Sequence, residues 1–365
     1  MITLCKFCNA ANGNFFSEGN CFICENKMNK FESLAERAAD ELKNYSTFSI
    51  STVVPKNWLI REELIWDFAI ERSESIKTRA NRVGNRIIAQ RTGAKPCVDG
   101  DARITFDVEK EEFSIEPNEL FIFGRYCKLV RGISQSRWVC AECGGKGCKR
   151  CDGKGKMYES VEEKIGAVMK KECDASEYAL HASGREDIDV INTAGRPFVM
   201  ELKRARNRRP DLNRIAEVIN EKKEVFVSDL KIVKRGVVEL VASSHFDKEY
   251  EVDVEFEKTL NEEEIKKILS LRGTTIEQLT PQRVAHRRAK IDRRRKILDV
   301  KFLSKKENKA TFLIRTEAGT YIKELITGDG GRTRPSFSSI LKMKVNCIGL
   351  KVAKIDDEFL KESLG

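Results

Sequence analysis

The sequence predicts an α+β protein in two parts: a small cysteine-bearing α/β domain over residues 1–157 and a larger domain with a big, mostly antiparallel sheet over 158–365. Three observations predict it. At 365 residues the chain is too long for one ordinary domain and suits two or three. Hydrophobic residues make up 41 %, enough to bury a core in each part. Strand-like alternation dominates the second part, with few helical patterns between, which implies α+β layering rather than regular βα units.

In the first part Phe31, Leu34, Ala35, Ala38 and Leu42 recur at helical spacing. A longer helical pattern from about Glu62 to Arg91 carries Leu64, Ile65, Phe68, Ile76, Val83, Ile87 and Ile88. Alternation at Ile104-Phe106-Val108, Phe113-Ile115 and Leu120-Ile122 predicts short strands. The boundary falls in the Gly- and Lys-rich stretch 153–156, because Ser160-Val161-Glu162-Glu163 is a capping box that opens a new helix. That helix turns Val161, Ile165, Val168 and Met169 inward. Beyond it, strands are predicted at Tyr178–Ser183, Pro197–Leu202, Val225–Val241, Glu251–Phe256, Ile297–Leu303, Ala310–Thr316 and Val345–Ile355. Helices are predicted at Leu212–Lys223 and at Asn261–Leu271, the latter opened by Asn261 and Glu264.

Eight of the twelve cysteines form four Cys-x-x-Cys pairs: Cys5/Cys8, Cys21/Cys24, Cys140/Cys143 and Cys148/Cys151. A Cys-x-x-Cys turn aims two thiolates at one tetrahedral ion, and two turns complete a closed Cys₄ site. All-thiolate ligation at this spacing reads as structural zinc, one ion or two, with no open position for a substrate. The spacing leaves open one ion per quartet, or one ion shared by a pair from each. Cys97, Cys127, Cys173 and Cys347 stand alone and read as small buried hydrophobes.

Apolar runs are too short for a transmembrane span, and Met1–Lys6 does not open a secretory signal. A cytoplasmic protein, off the membrane and with no protein partner demanded by an apolar stripe, is expected. The formal charge is +10, from 67 Lys and Arg against 57 Asp and Glu. Its excess is concentrated in two runs. One spans Lys203 to Arg214 and includes Arg204, Arg206, Arg208 and Arg209; the other spans Arg283 to Lys296 and includes Arg287, Arg288, Arg293 and Arg294. Runs this dense repel themselves unless phosphates neutralise them, so nucleic acid is the expected partner rather than bulk solvent.

Two passages carry chemistry. Ala182-Ser183-Gly184-Arg185-Glu186-Asp187-Ile188-Asp189-Val190 offers a carboxylate on a Gly-Arg turn between strands. Gly319-Thr320-Tyr321-Ile322-Lys323-Glu324 offers a cation inside an apolar strand or helix start. Spacing alone allows a structural ion pair or a shielded carboxylate nucleophile.

Gly184-Arg185-Glu186-Asp187 is similar to the Gly-Arg-x-Asp segment that holds the catalytic aspartate in one class of pseudouridine synthases. Gly319-Thr320-Tyr321-Ile322-Lys323 is similar to the Gly-Thr-Tyr-Ile-Arg/Lys motif of another class. Together with Gly124-Arg125-Tyr126, Ser136-Arg137-Trp138, Gly195-Arg196-Pro197-Phe198 and Gly331-Arg332-Thr333-Arg334-Pro335-Ser336, they make nearly the whole chain resemble one family. It is the stand-alone archaeal and eukaryotic family that makes pseudouridine in the T loop of tRNA. The resemblance implies a pseudouridine-synthase catalytic domain behind a zinc-bearing, THUMP-related tRNA-binding domain. It implies Asp187 as nucleophile and Lys323 as its charge partner, with Arg185 and Tyr321 as substrate-binding neighbours from the same motifs. Tyr250 would stack on the flipped uracil and Leu350 would face the base from the other side. No organic cofactor and no catalytic metal are implied; Arg204, Arg208, Arg287 and Arg288 would hold tRNA backbone, as positioning contacts.

Three other classes compete. Asp187 and Asp189 followed by Glu201-Leu202-Lys203 fit the Asp…Glu-x-Lys layout of a metal-dependent nuclease. A zinc deaminase is disfavoured, since none of His181, His245 and His286 begins a His-x-Glu motif. A non-catalytic tRNA-binding protein would use the same cysteine modules and basic runs.

Overall fold

The computed structural model describes residues 2–42, 45–66, 73–285 and 289–364. The chain forms two compact units. One comprises Met1–Leu120 with Glu172–Glu177 and Leu202–Pro210; the other comprises Phe121–Lys171, Tyr178–Glu201 and Asp211–Gly365.

The first unit runs β1 (Thr3–Leu4), α1 (Lys6–Ala11), β2 (Ser17–Glu18), α2 (Phe31–Glu41), β3 (Thr47–Val53), α3 (Lys56–Trp66), α4 (Ile76–Thr92), β4 (Lys95–Pro96), β5 (Ala102–Asp107) and β6 (Glu112–Pro117). The main sheet has the order β4-β3-β5-β6, with β3 parallel to β4 and β5, and β5 antiparallel to β6. Phe31 is buried between the rings of Phe7 and Phe106, at 5.7 and 5.1 Å, and joins the cysteine module to the sheet. The helical pattern of Glu62–Arg91 is not one helix. Ser75 caps α4 by accepting from the N–H of Thr78 at 3.1 Å, and α3 ends at Trp66, ahead of that cap. Phe68 lies outside the described residues.

Glu62 on α3 is buried, and its Oε1 accepts from the N–H of Ile76 at 2.7 Å. Burial pushes its carboxyl up from the ordinary 4.5 to about 7, against the pull of that N–H. A carboxyl raised on folding contributes stability that is whole below about 4.5 and lost as pH rises through about 7. Denaturation midpoints of the first unit should therefore fall across that window, and Glu62→Gln, which keeps the acceptor, should remove the fall. A wild-type midpoint that rises with pH would contradict it.

The second unit contains β7 (Leu120–Lys128), α5 (Val161–Glu172), β8 (Glu177–Ala182), β9 (Ile191–Lys203), α6 (Leu212–Asn220), β10 (Val225–Val233), α7 (Gly236–Ser243), β11 (Lys248–Phe256), α8 (Glu262–Leu269), β12 (Thr275–Leu279), β13 (Asp292–Lys306), β14 (Lys309–Thr316), α9 (Ile322–Thr327), β15 (Thr333–Arg334), α10 (Phe337–Leu341), β16 (Val345–Ile355) and α11 (Glu358–Leu364). Its sheet has ten strands in the order β10-β7-β9-β16-β11-β14-β13-β12-β15, with β8 paired to β9. The pairs with assigned register are antiparallel except β16 with β9. This is the mostly antiparallel sheet that the strand patterns predict. Phe312, ringed by Phe256, Phe302 and Phe337 at 5.3–6.5 Å, marks the core beneath it.

Three expectations change here. The division of the chain does not fall at 157: β7 pairs with β10 from Phe121↔Val233 to Lys128↔Val225, which commits the chain to the large sheet from 121 onward. The second cysteine quartet therefore belongs to the second unit. The apolar run Val225–Val241 is a strand only to Val233; Val237, Leu240 and Val241 then turn one helical face of α7 to the core. Cys97 is exposed rather than buried, while Cys173 is buried. Both capping boxes form: Ser160 accepts from the N–H of Glu163, and Asn261 from that of Glu264.

Candidate active site

Asp187 lies in the turn that joins β8 to β9. Gly184 starts the turn at φ +79°, where a Cβ would also press on the Arg196 guanidinium at 3.1 Å, so glycine is required twice over. Below the turn is a buried polar scaffold. Arg196 Nε lies 2.6 Å from Glu186 Oε2, both side chains 1 % exposed. The Tyr126 hydroxyl donates to Glu186 Oε1 at 2.7 Å, and Gln135 Nε2 donates to that hydroxyl at 2.8 Å and to the Gly184 carbonyl at 2.9 Å. Arg196 also donates to the Ser183 carbonyl at 2.7 Å.

Lys128, at the end of β7, grips the nucleophile's own backbone. Its buried Nζ donates to the carbonyls of Asp187 and Ile133 at 2.9 Å and of Ile188 at 3.0 Å. Burial holds this amine below the ordinary lysine range, opposed by the charges of Glu186, Asp189 and Asp187. Burial likewise pushes the Tyr126 hydroxyl well up, with the Glu186 carboxylate adding to it. The turn is thus fixed by the strands beneath it, which leaves the Asp187 carboxylate as the part that faces outward.

Above the turn, three carboxylates meet two cations. Asp187 Oδ2 lies 2.7 Å from Arg283 NH1 and 3.6 Å from Lys323 Nζ. Lys323, in the first turn of α9, donates to both oxygens of Asp189 at 2.6 and 2.7 Å. Arg283 also donates from Nε to the buried Glu324 at 2.7 Å. Burial draws the Arg283 guanidinium down, but Glu324 and Asp187 outweigh it and hold it above its ordinary value. Burial pushes Asp189 up, but the Lys323 ammonium outweighs it and holds the carboxyl below the usual range. A cleft of about 180 Å³ opens on this cluster, lined by Ser134, Trp138, Arg185, Glu186, Asp187, Ile188, Asp189, Arg283 and Lys323.

Of the sequence-predicted site residues, the structure brings Asp187, Lys323 and Arg185 to one cleft. The nearest cation to Asp187 is nonetheless Arg283, and Lys323 bonds first to Asp189. Tyr250 is part-buried on β11, and desolvation ahead of the Glu186 charge pushes its hydroxyl to about 12 against the pull of Arg196. Leu350 on β16 pairs with Val252 in the core. Neither lines the cleft. Tyr321 precedes α9, exchanges backbone hydrogen bonds with the Gln278 amide at 2.9 Å, and has Arg293 5.4 Å over its ring.

Arg204 is exposed in the first unit at φ +52°. Arg208 does not present its guanidinium to a phosphate. It is 11 % exposed, pairs with Asp101 at 3.2 Å, and donates to the carbonyls of Asn118 at 2.7 Å and Glu119 at 3.2 Å. Its charge is spent inside the fold. Arg287 and Arg288 lie outside the described residues.

Each cysteine quartet gathers its own four sulfurs within 4.8 Å of one another, so the arrangement is one site per quartet rather than one shared site. A tetrahedral ion with Zn–S near 2.3 Å spaces its thiolates by about 3.8 Å. The Cys140–Cys148, Cys143–Cys151 and Cys148–Cys151 sulfurs are 3.8 Å apart, and Cys5–Cys24 and Cys8–Cys24 are 3.6 and 3.5 Å apart. Backbone N–H groups of Cys148 and Gly155 point at Cys151 Sγ at 3.2 Å and help draw its thiol down to about 7. Either quartet could hold a zinc ion.

Sequence reasoning missed Arg283, Lys128 and the Glu186–Arg196 pair. Arg283 sits at the edge of a basic run and reads as one of its members; no spacing ties it to Asp187. The buried cations Lys128 and Arg196 carry no local signal except that each follows a strand-like apolar alternation.

Residues 121–356 match the family model described as Pus10, C-terminal. The protein named tRNA pseudouridine synthase Pus10 of Methanothrix thermoacetophila is 38 % identical over 346 residues, covering 92 % of this chain and 76 % of that one. Its namesake in Archaeoglobus fulgidus is 37 % identical over 350 residues, covering 94 % and 97 %. That of Methanocaldococcus jannaschii is 40 % identical over 351 residues, covering 94 % and 77 %. Among solved structures, a Cbf5–Nop10–Gar1 complex aligns at 18 % identity and a TM-score of 0.34 over 55 % of this chain and 51 % of that one, a likeness too slight to bear on function.

Proposed function

The chain belongs to the Pus10 family, and from that membership and its carboxylate cluster we propose that it isomerises uridine to pseudouridine in the T loop of tRNA, with Asp187 as nucleophile. The observation that carries this reading is the Asp187 carboxylate held at the cleft by Arg283 and Lys323 while Lys128 clamps its backbone. The target nucleotide leaves its loop and enters the cleft. Asp187 attacks the base or the sugar, the N1–C1′ bond breaks, and the uracil turns. C5 then bonds to C1′, the proton on C5 leaves, and N1 takes one up, so the reaction is a net isomerisation. Arg283 aims the carboxylate and Lys323, braced by Asp189, supplies positive charge beside it.

The first unit is proposed to bind tRNA, with Arg204 and the run 283–296 as backbone contacts and Arg208 as an internal brace. Both quartets are proposed to hold structural zinc. Metal analysis should find two zinc ions per chain, and a strong chelator should release them and lower the melting temperature. One ion, or none with an unchanged melt, would contradict this. The proposed site of action is the cytoplasm; no helix among the described residues is long and apolar enough to cross a membrane.

The nuclease reading gains nothing from the geometry. Glu201 pairs with His181 at 2.8 Å and Lys203 with Glu177 at 2.8 Å. Among the described residues, only the cysteine quartets bring three or more ligand atoms together.

The test is pseudouridine formation in an unmodified tRNA transcript without added divalent metal. Product at a T-loop uridine supports the reading. tRNA bound tightly but left unmodified would leave a binding protein instead. Within the site, Arg283→Ala should lower the single-turnover rate about 10- to 100-fold, the weight of one charge-assisted hydrogen bond, with tRNA affinity little changed. An equal loss in affinity and rate would make Arg283 a tRNA contact rather than an aiming residue.

A further inference from the structure

The cleft at Asp187 is walled almost entirely by charged and polar groups. Its apolar surface comes from Ile188 and from the indole of Trp138. A pyrimidine that leaves its stack needs a flat apolar or aromatic face to replace the neighbours it lost. The aromatic side chain on this wall is Trp138, which is only part-buried.

Trp138 is held there by the second cysteine quartet. Its carbonyl accepts from the N–H of Met157 at 2.9 Å, Val139 bridges Lys156, and the N–H of Cys140 donates to the Gly155 carbonyl at 3.0 Å. These links close the two ends of the cysteine segment on each other. The Tyr158 ring then backs the indole, 5.5 Å away and tilted by 54°. The quartet is thus more than a staple, because the segment that it ties off carries one wall of the cleft.

We propose that Trp138 is a substrate-contacting residue, the aromatic face on which the target uracil stacks at Asp187. This rests on the proposed isomerase function and adds the residue that receives the base. A cleft of about 180 Å³ lined by Asp187 admits the nucleoside on which Asp187 acts, so its aromatic wall meets that nucleoside rather than a distant one.

The test uses the full chain with its metal bound. Trp138→Ala should lower kcat/KM about 5- to 150-fold, the weight of one base–aromatic stack, and Trp138→Phe should recover most of that loss. A second readout does not depend on turnover. In the Asp187→Asn chain, the tRNA-induced change in tryptophan emission, less that of the same chain carrying Trp138→Phe, reports Trp138 alone. It should be large with intact transcript. It should be largely lost when the uridine that wild type converts is replaced by an abasic site. Wild-type kcat/KM in Trp138→Ala, or an emission change indifferent to the missing base, would overturn the proposal. Failure of the underlying reading shows separately, as a wild-type chain that makes no pseudouridine, and takes the proposal with it.

Discussion

Asp187→Asn is expected to bind tRNA nearly as wild type does and to form pseudouridine at least roughly 10³-fold more slowly, because an amide of the same shape lacks the nucleophilic charge. The substitution isolates chemistry from structure. Lys128 holds residue 187 through its carbonyl, which Asn keeps, and the Glu186–Arg196 pair beneath the turn is untouched. Arg283 loses a charged partner but retains Glu324 at 2.7 Å, so the arginine stays in place. Single-turnover pseudouridine formation and tRNA affinity, measured on both proteins, check this. Retention of more than about a tenth of the rate would remove Asp187 from the role of nucleophile.

Arg196→Met should cost the second unit about 3–5 kcal/mol, because it leaves the Glu186 carboxylate buried without its cation. Both side chains are 1 % exposed, and the pair lies at 2.6 Å in the sheet beneath the catalytic turn. Tyr126 alone would then face the charge, through one hydrogen bond of 2.7 Å. Adding Glu186→Gln should return much of the loss, since the stranded charge is then gone and the amide oxygen still accepts from Tyr126. Urea denaturation of the single and double variants measures both steps. A single variant within about 1 kcal/mol of wild type would mean that water reaches this pair and that it contributes little.

The two effects separate cause from support. Asp187 touches the reacting atoms in the proposed mechanism, while Arg196 and Glu186 determine only where the turn that carries it can lie. Rate without stability should change in the first variant, and stability should change most in the second.

The sequence by itself determined the sheet-rich second unit, both capping boxes, the two cysteine quartets and the passages around Asp187 and Lys323. These are local properties. A strand alternates with period two, a capping box closes within four residues, and a Cys-x-x-Cys turn defines its own ligand pair. What only the tertiary structure decided is which charges meet. Arg283 and Asp187 come together because β12 ends beside the β8–β9 turn in the folded sheet, and nothing in either segment announces the other. Lys323 was legible as a cation near Asp187, yet its first bond is to Asp189, a choice made at the scale of an ångström by the first turn of α9. Arg208 reads in sequence as one more basic residue of a dense run, but Asp101 and two carbonyls absorb its guanidinium. Trp138 precedes a metal-binding motif and reads as part of it; only the closure of the cysteine segment turns its ring toward the cleft. Coulombic and stacking contacts act over a few ångströms in space, and chain order does not record those distances.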